Sequence, residues 1–273
     1  MKPETTIASR PAAARRAAET SSPPSTSSRA LSLLYGSLIY VGFLGVFLYT
    51  IGFVAGVIVP KDIDDGTPVP LGEALLVNGG FLALFAVQHA VMARRSFKER
   101  WTRIVPRQIE RSTFVLATIT ILSLMYWQWR PMPEVVWSVT GAAAWVLAAL
   151  AALGWGTVLL STFLIDHFEL FGLRQVVLHA LGRPYEPPRF RERSLYRVVR
   201  HPLMLGFLLA FWCAPTMTVG HLFFAGLCTG YILVGVRMEE RDLVAAHGEA
   251  YLDYRRRVPG LLPLPRRTAA QAR

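Results

Sequence analysis

The sequence is short of cysteine and short of charge. Two of its 273 residues are cysteines, Cys213 and Cys228, and they make no Cys-x-x-Cys pair. That excludes a disulfide framework and a cysteine zinc site, and leaves both as small apolar packing residues. No other spacing of His, Asp and Glu makes a metal site, and no metal is expected. A glycine-rich loop between a strand and a helix is also missing, which excludes a Rossmann-type nucleotide fold. Charged residues are 17% of the chain and hydrophobic residues 53%, where a soluble domain carries about a quarter charged. The shortage of charge excludes a soluble globular domain and points to the bilayer.

Apolar runs supply the fold class. About 20 residues cross a membrane as helix, and Leu31–Val59, Leu71–Ala93, Ser112–Trp129 and Val135–Ile165 each meet or approach that length. A fifth block, Leu203–Val236, is broken at Cys213-Ala214-Pro215-Thr216. It predicts a helical hairpin turning near Pro215, since proline ends the helix before it. The expected architecture is all-α: a membrane bundle of five to six transmembrane helices with a C-terminal hairpin, in one domain spanning residues 31–265. Residues 1–30, rich in Ala, Ser, Pro and Arg, read as a disordered tail, and 266–273 as a second tail. The apolar run after the first tail is too long for a signal peptide.

The formal net charge is +11, and its placement argues for topology. Arg94, Arg95, Lys98, Arg100, Arg103, Arg107 and Arg111 lie between the second and third runs. Arg174, Arg183, Arg189, Arg191, Arg193, Arg197 and Arg200 lie between the fourth run and the hairpin. The alternate connections hold Lys61 among Asp62, Asp64 and Asp65, and Arg130 against Glu134. The positive-inside rule then places both termini and both basic loops in the cytoplasm, so the basicity needs no nucleic-acid partner. Trp127, Trp129, Trp137 and Trp101 suit interfacial belts. Gly52 and Gly56 hint at close helix pairing. His221 reads as structural, His179 and His247 as solvent-facing.

Candidate chemistry sits where charge meets hydrocarbon. Arg200-His201-Pro202 ends a basic segment and opens the hairpin, and Glu239-Glu240-Arg241 follows its return. Charge at such a place must be paired or used. If Pro202 opens a helix ending near Ala214, that helix is about 18 Å long at 1.5 Å per residue. The returning helix, from about Val219 to Ala246, then brings Tyr231 level with His201 and leaves Arg237–Asp242 below it. A second candidate group, His89, Asp166 and His167, ends the second and fourth runs on the same side.

Motifs now carry a resemblance. Leu195-Tyr196-Arg197-Val198-Val199-Arg200-His201-Pro202, then Arg237-Met238-Glu239-Glu240-Arg241, then Gly248, Tyr251, Tyr254 and Val258-Pro259 resemble isoprenylcysteine carboxyl methyltransferase-like membrane enzymes. Met204 stands where many of those carry tyrosine. Gln88-His89-Ala90-Val91-Met92-Ala93-Arg94 resembles a motif of nurim-like proteins. Asp166-His167-Phe168-Glu169-Leu170-Phe171-Gly172-Leu173-Arg174-Gln175-Val176, with Pro215-Thr216-Met217-Thr218-Val219-Gly220-His221, is similar to the bacterial methanethiol S-methyltransferase family.

That resemblance implies methylation of methanethiol to dimethyl sulfide in a bacterial inner membrane, with S-adenosylmethionine as donor and S-adenosylhomocysteine as product. It also implies cofactor contacts from Tyr196, Arg197, Arg200, His201, Pro202, Gly206, Glu239, Glu240, Tyr251 and Arg255. A simple alkanethiol is less acidic than cysteine, whose pKa is about 8.5, so a base is required. His89, Asp166 and His167 are the candidates, with a His–carboxylate pair expected to draw off the thiol proton. A carboxyl methyltransferase acting on a prenylated cysteine and a non-catalytic nurim-like protein remain as alternatives.

Overall fold

Five apolar segments fold as helices long enough to cross a bilayer in a computed structural model of the chain, which describes residues 25–186 and 194–263. They are α1 (Thr26–Ala55), α2 (Leu71–Ala93), α4 (Arg107–Gln128), α5 (Gly141–Ile165) and α9 (Val219–His247). Between and after them lie short helices α3 (Arg95–Trp101), α6 (His167–Leu170), α7 (Leu173–Ala180), α8 (Pro202–Trp212) and α10 (Glu249–Arg257). The hairpin is therefore α8 and α9, with Pro202 at the first helical position as its preset φ favours. Leu38, Leu76, Trp145 and Val234 are each more than half exposed, as lipid-facing side chains of a bundle are.

Several details differ from expectation. The first helix starts at Thr26, capped by Ser25 Oγ accepting from Ser28 N at 3.2 Å, so Thr26–Ala30 of the predicted tail are helical; residues 1–24 and 266–273 lie outside the described residues. The fourth run is divided: Val135–Ser138 is a strand, β1, paired antiparallel with β2 (Thr216–Thr218), and helix α5 begins only at Gly141, whose φ is +64°. β-Branched and aromatic residues after Pro131 and Pro133 favour the extended chain there. Gly52 and Gly56 serve the end of their own helix: a side chain at Gly52 would strike Val59, and Gly56 is the left-handed C-cap with φ +64°.

The core gathers Phe53, Met125, Tyr126, Trp129, Trp155, Phe211 and Phe224 from α1, α4, α5, α8 and α9. Trp129 is 1% exposed and donates its indole N–H to Ile63 O at 2.9 Å, so it is a core residue and not a belt one, while Trp127 stays 70% exposed. A second cluster, Ile39, Phe114 and Val115 with Phe43, Met92 and Phe171, fills the other half of the bundle. The closest helix contact joins α8 to α5. A Cβ on Gly154 would lie 2.6 Å from Ala210 N, and one on Gly206 2.7 Å from Gly154 O, so these two helices touch backbone to backbone.

Two ends result. One, here the acidic end, collects residues 56–70, 129–140 and 213–218. There Lys61 Nζ donates to Trp127 O and Trp129 O, Asn78 bonds the backbone of Arg130 twice, and Thr218 donates to Asp64 Oδ1 at 2.7 Å. The other, the basic end, collects 94–106, 166–186, 194–201 and 247–263, where Arg111 Nε donates to Leu170 O at 2.7 Å. Of the predicted basic loop, Arg189, Arg191 and Arg193 lie outside the described residues.

Candidate functional site

The start of α8 and the last turns of α9 meet in one charged cluster. His201 is the N-cap of α8, yet its side chain makes no capping bond; its imidazole turns instead to the glutamates. Nε2 lies 3.2 Å from Glu240 Oε1 and Nδ1 lies 3.5 Å from Glu239 Oε2. Arg200 gives Nε and Nη2 to Glu240 Oε1 at 2.8 and 2.5 Å, and Nη1 to Arg255 O and Val258 O at 3.1 and 2.5 Å. The backbone of both residues is sewn to the chain after α10, Arg200 N to Pro259 O at 2.9 Å and His201 N to Gly260 O at 3.2 Å. A 3₁₀ turn at Ser194–Arg197 precedes them, its Tyr196 O accepting the Tyr254 hydroxyl at 2.6 Å.

Burial grades the cluster. The side chains of Arg200, His201 and Glu240 are 6%, 4% and 13% exposed, those of Glu239 and Arg255 52% and 49%. Burial alone pushes the His201 imidazole down, but the hydrogen bonds and charges of Glu239 and Glu240 outweigh it and hold its pKa above the ordinary 6.5. Burial, then the Glu239 charge, pushes the Tyr196 phenol up. Glu240 Oε1 is crowded by three donors, while Oε2 faces Arg255 Nε at 3.7 Å. The rim therefore offers a half-exposed carboxylate, a second carboxylate oxygen and a guanidinium.

Such a set fits a ligand that carries an ammonium, a carboxylate and hydroxyl donors; carboxylates accept such donors in strong charge-assisted bonds. Tyr251 is buried beneath the cluster beside Tyr254 and Val258, and Arg197 is exposed. Gly206 is committed to the α5 contact. The glutamate side chains reach the level of His201 and do not lie below it, contrary to the spacing expectation. Phe211 meets Phe224 edge to face at one end of α8 while His201 meets Glu239 and Glu240 at the other. Backbone rise was the wrong ruler, because a helical side chain slants toward its own N-terminus and Arg200 and His201 reach to meet it.

No hydrogen bond joins the three members of the second candidate group among the described residues. Asp166 accepts Arg174 Nη1 at 2.5 Å and caps α6 through Glu169 N at 3.2 Å. His167, 3% exposed, bonds Tyr40 Oη at 2.9 Å and Thr162 Oγ1 at 2.8 Å and stacks on Phe163 at 4.2 Å. Burial lowers its pKa, with the Asp166 charge opposing. The expected His–carboxylate hydrogen bond is not formed, because both side chains are taken by other partners. His89 stands apart among Phe85, Phe114 and Tyr231, at ring distances of 5.4, 4.9 and 6.4 Å. Its Nδ1 is buried with no hydrogen-bond partner. Phe85 and Tyr231 also wall an apolar cleft of about 420 Å³ between α2 and α9 that contains Cys228.

Sequence reasoning missed Tyr40 and Thr162, the partners of His167, which carry no local signal. Tyr231 packs beside His89, with ring centroids 6.4 Å apart. His221 bonds Phe211 O at 2.8 Å and is structural as expected. His179, expected in solvent, is part-buried.

Comparison with known proteins bears on the same residues. Positions 76–242, from α2 through the glutamate pair, match the family model described as NnrU protein. The chain belongs to the NnrU protein family. Within reach of it lie a methanethiol S-methyltransferase of Mycobacterium tuberculosis, 56% identical over 240 residues that cover 88% of this chain and 98% of the relative, and methanethiol S-methyltransferase 2 of Bradyrhizobium diazoefficiens, 53% identical and covering 85% and 89%. Human nurim is 31% identical over 173 residues, 60% of this chain and 66% of nurim. No solved structure matches. Both candidate clusters contribute residues to the span that the NnrU family model covers.

Proposed function

We propose that the protein methylates methanethiol to dimethyl sulfide, with S-adenosylmethionine as donor, at the cytoplasmic face of a bacterial inner membrane with both termini inside. The observation that carries this is the cluster in which the buried Arg200, His201 and Glu240 meet half-exposed Glu239. Relatives about half identical over most of their length, and named for that reaction, point the same way.

When bound, S-adenosylmethionine supplies a methyl group on a positively charged sulfur, an electrophile suited to a thiolate. Glu239 and Glu240 Oε2 hold its hydroxyl or ammonium donors, and Arg255 its carboxylate. Arg200 keeps Glu240 ionised and ties α8 to the chain after α10, so the two halves of the site move as one. Tyr196 and Tyr251 shape the floor. On the acceptor side, the α2–α9 cleft admits a small apolar thiol and excludes water, which strengthens attack by a bare thiolate. His89, with a buried unpartnered nitrogen beside that cleft, accepts the thiol proton. Asp166 and His167 buttress the bundle through Arg174, Tyr40 and Thr162.

The deciding experiment incubates the purified protein in lipid discs with labelled S-adenosylmethionine and either methanethiol or a farnesylated cysteine. Headspace dimethyl sulfide from methanethiol, absent in Glu240→Gln and reduced at least about a hundredfold in His89→Ala, is the expected result. Label on the farnesylated cysteine alone, or on neither with folded protein, overturns the proposal.

A further inference from the structure

The basic end holds a second polar cavity that the methyl-transfer cluster does not use. It encloses about 250 Å³ and is lined by Lys98 of α3, Glu110 and Arg111 of α4, Glu169 of α6, Gln175 of α7 and Tyr185. Two of its walls differ in kind. On one, Glu169 Oε1 accepts from Gln175 Nε2 at 2.8 Å and from the Tyr185 hydroxyl. Glu169 Oε2 and Gln175 Oε1 are buried there with no hydrogen-bond partner among the described residues. Each buried acceptor left unpaired costs about 1–3 kcal/mol, so a site that keeps two side by side is shaped for a group with several N–H donors. The other wall carries the Lys98 ammonium and the Arg111 guanidinium, the latter fixed by Leu170 O at 2.7 Å and by the Phe114 ring at 4.7 Å.

Size and charge narrow the ligand. At about 30 Å³ per water the cavity holds roughly eight waters, which is below the volume of a drug-sized site. Two cations and two carboxylates sum to no net charge, so neither a bare anion nor a bare cation matches the lining. A molecule with both signs a few ångströms apart does. We propose that this cavity binds the zwitterionic head of an α-amino acid, its ammonium on Glu169 Oε2 and Gln175 Oε1 and its carboxylate on Lys98 and Arg111. The source is a free amino acid, because Glu239, Glu240 and Arg255 already face the ammonium and carboxylate of the methyl donor. The inference stands whether or not the chain transfers methyl groups.

Direct binding in lipid discs tests it without turnover. The probes are L-methionine, S-adenosylhomocysteine and 5′-methylthioadenosine, which lacks the zwitterion. L-Methionine binding is expected to weaken at least about tenfold in Glu169→Gln and in Lys98→Met, with thermal unfolding showing both variants folded, and to survive Glu240→Gln. L-Methionine and S-adenosylhomocysteine are expected to bind simultaneously, and competition between them would put the donor's own amino-acid end in the cavity and overturn the free-amino-acid assignment. Methylthioadenosine should respond to Glu240→Gln alone, so a failed donor site is read separately. No L-methionine binding to the folded wild type, binding indifferent to both cavity variants, or equal losses for methylthioadenosine in those variants would overturn the proposal.

Discussion

At the acidic end of the bundle the Lys61 ammonium is shared by two backbone carbonyls, whereas at the basic end the Arg200 guanidinium is shared by a carboxylate and two backbone carbonyls. Both cations anchor chain segments far apart in sequence. The difference lies in the partners: Lys61 is taken up by backbone carbonyls alone, while Arg200 stands behind Glu239 and Arg255, half exposed and of opposite sign. Charge used as a staple is consumed by backbone. Charge used for binding is buttressed from behind and presented in front.

Breaking the buttress gives the largest effect. Glu240→Ala strands Arg200, only 6% exposed, and removing one partner of a buried pair costs about 3–5 kcal/mol; thermal unfolding in detergent should show it, with dimethyl sulfide falling to background. An unfolding midpoint equal to the wild type's would erase the contrast between the ends. Lys61→Met comes next. It deletes two charge-assisted bonds at 2.9 and 2.8 Å, for about 1.5–3 kcal/mol, and should leave turnover per folded molecule intact; lost turnover would mean that the acidic end also takes part in catalysis.

Glu239→Gln sharpens the comparison from the other side. Its half-exposed side chain contributes at most about 1 kcal/mol to stability, whereas donor affinity should drop about tenfold, or about 1.4 kcal/mol, by calorimetry; a stable variant with full affinity refutes its role. The smallest effect is a pH slope. His201 has a folded pKa raised above 6.5, so its stabilising share is complete below pH 6.5 and is lost as pH climbs through the raised value. His201→Gln should lack that loss, and identical stability–pH curves for the two proteins would show that the imidazole is not held by the glutamates.

Much of this was legible along the chain. Run lengths placed α2 at its observed bounds and put the hairpin turn beside Pro215, because bilayer thickness and proline chemistry are local rules. The Arg200-His201 and Glu239-Glu240 motifs were recognised, and they do meet. What failed was contact between side chains on different helices. Asp166 and His167 are neighbours in sequence, yet Arg174, Tyr40 and Thr162 claim them separately, and no spacing foretells which of several partners wins. The β1–β2 pair was hidden for the same reason: Val135–Ser138 is apolar enough to pass as helix until Thr216–Thr218 lies beside it.

Composition, run length and charge placement by themselves determined a multi-pass helical protein with its ionisable motifs gathered at one end, since transfer to hydrocarbon depends on each segment alone. Only the tertiary structure decided that α8 lies against α5 through Gly154 and Gly206, that Glu240 serves Arg200 and His201 together, and that His89 lies among Phe85, Phe114 and Tyr231. These are properties of pairs, and a pair's energy exists only once packing has fixed the distance between its members.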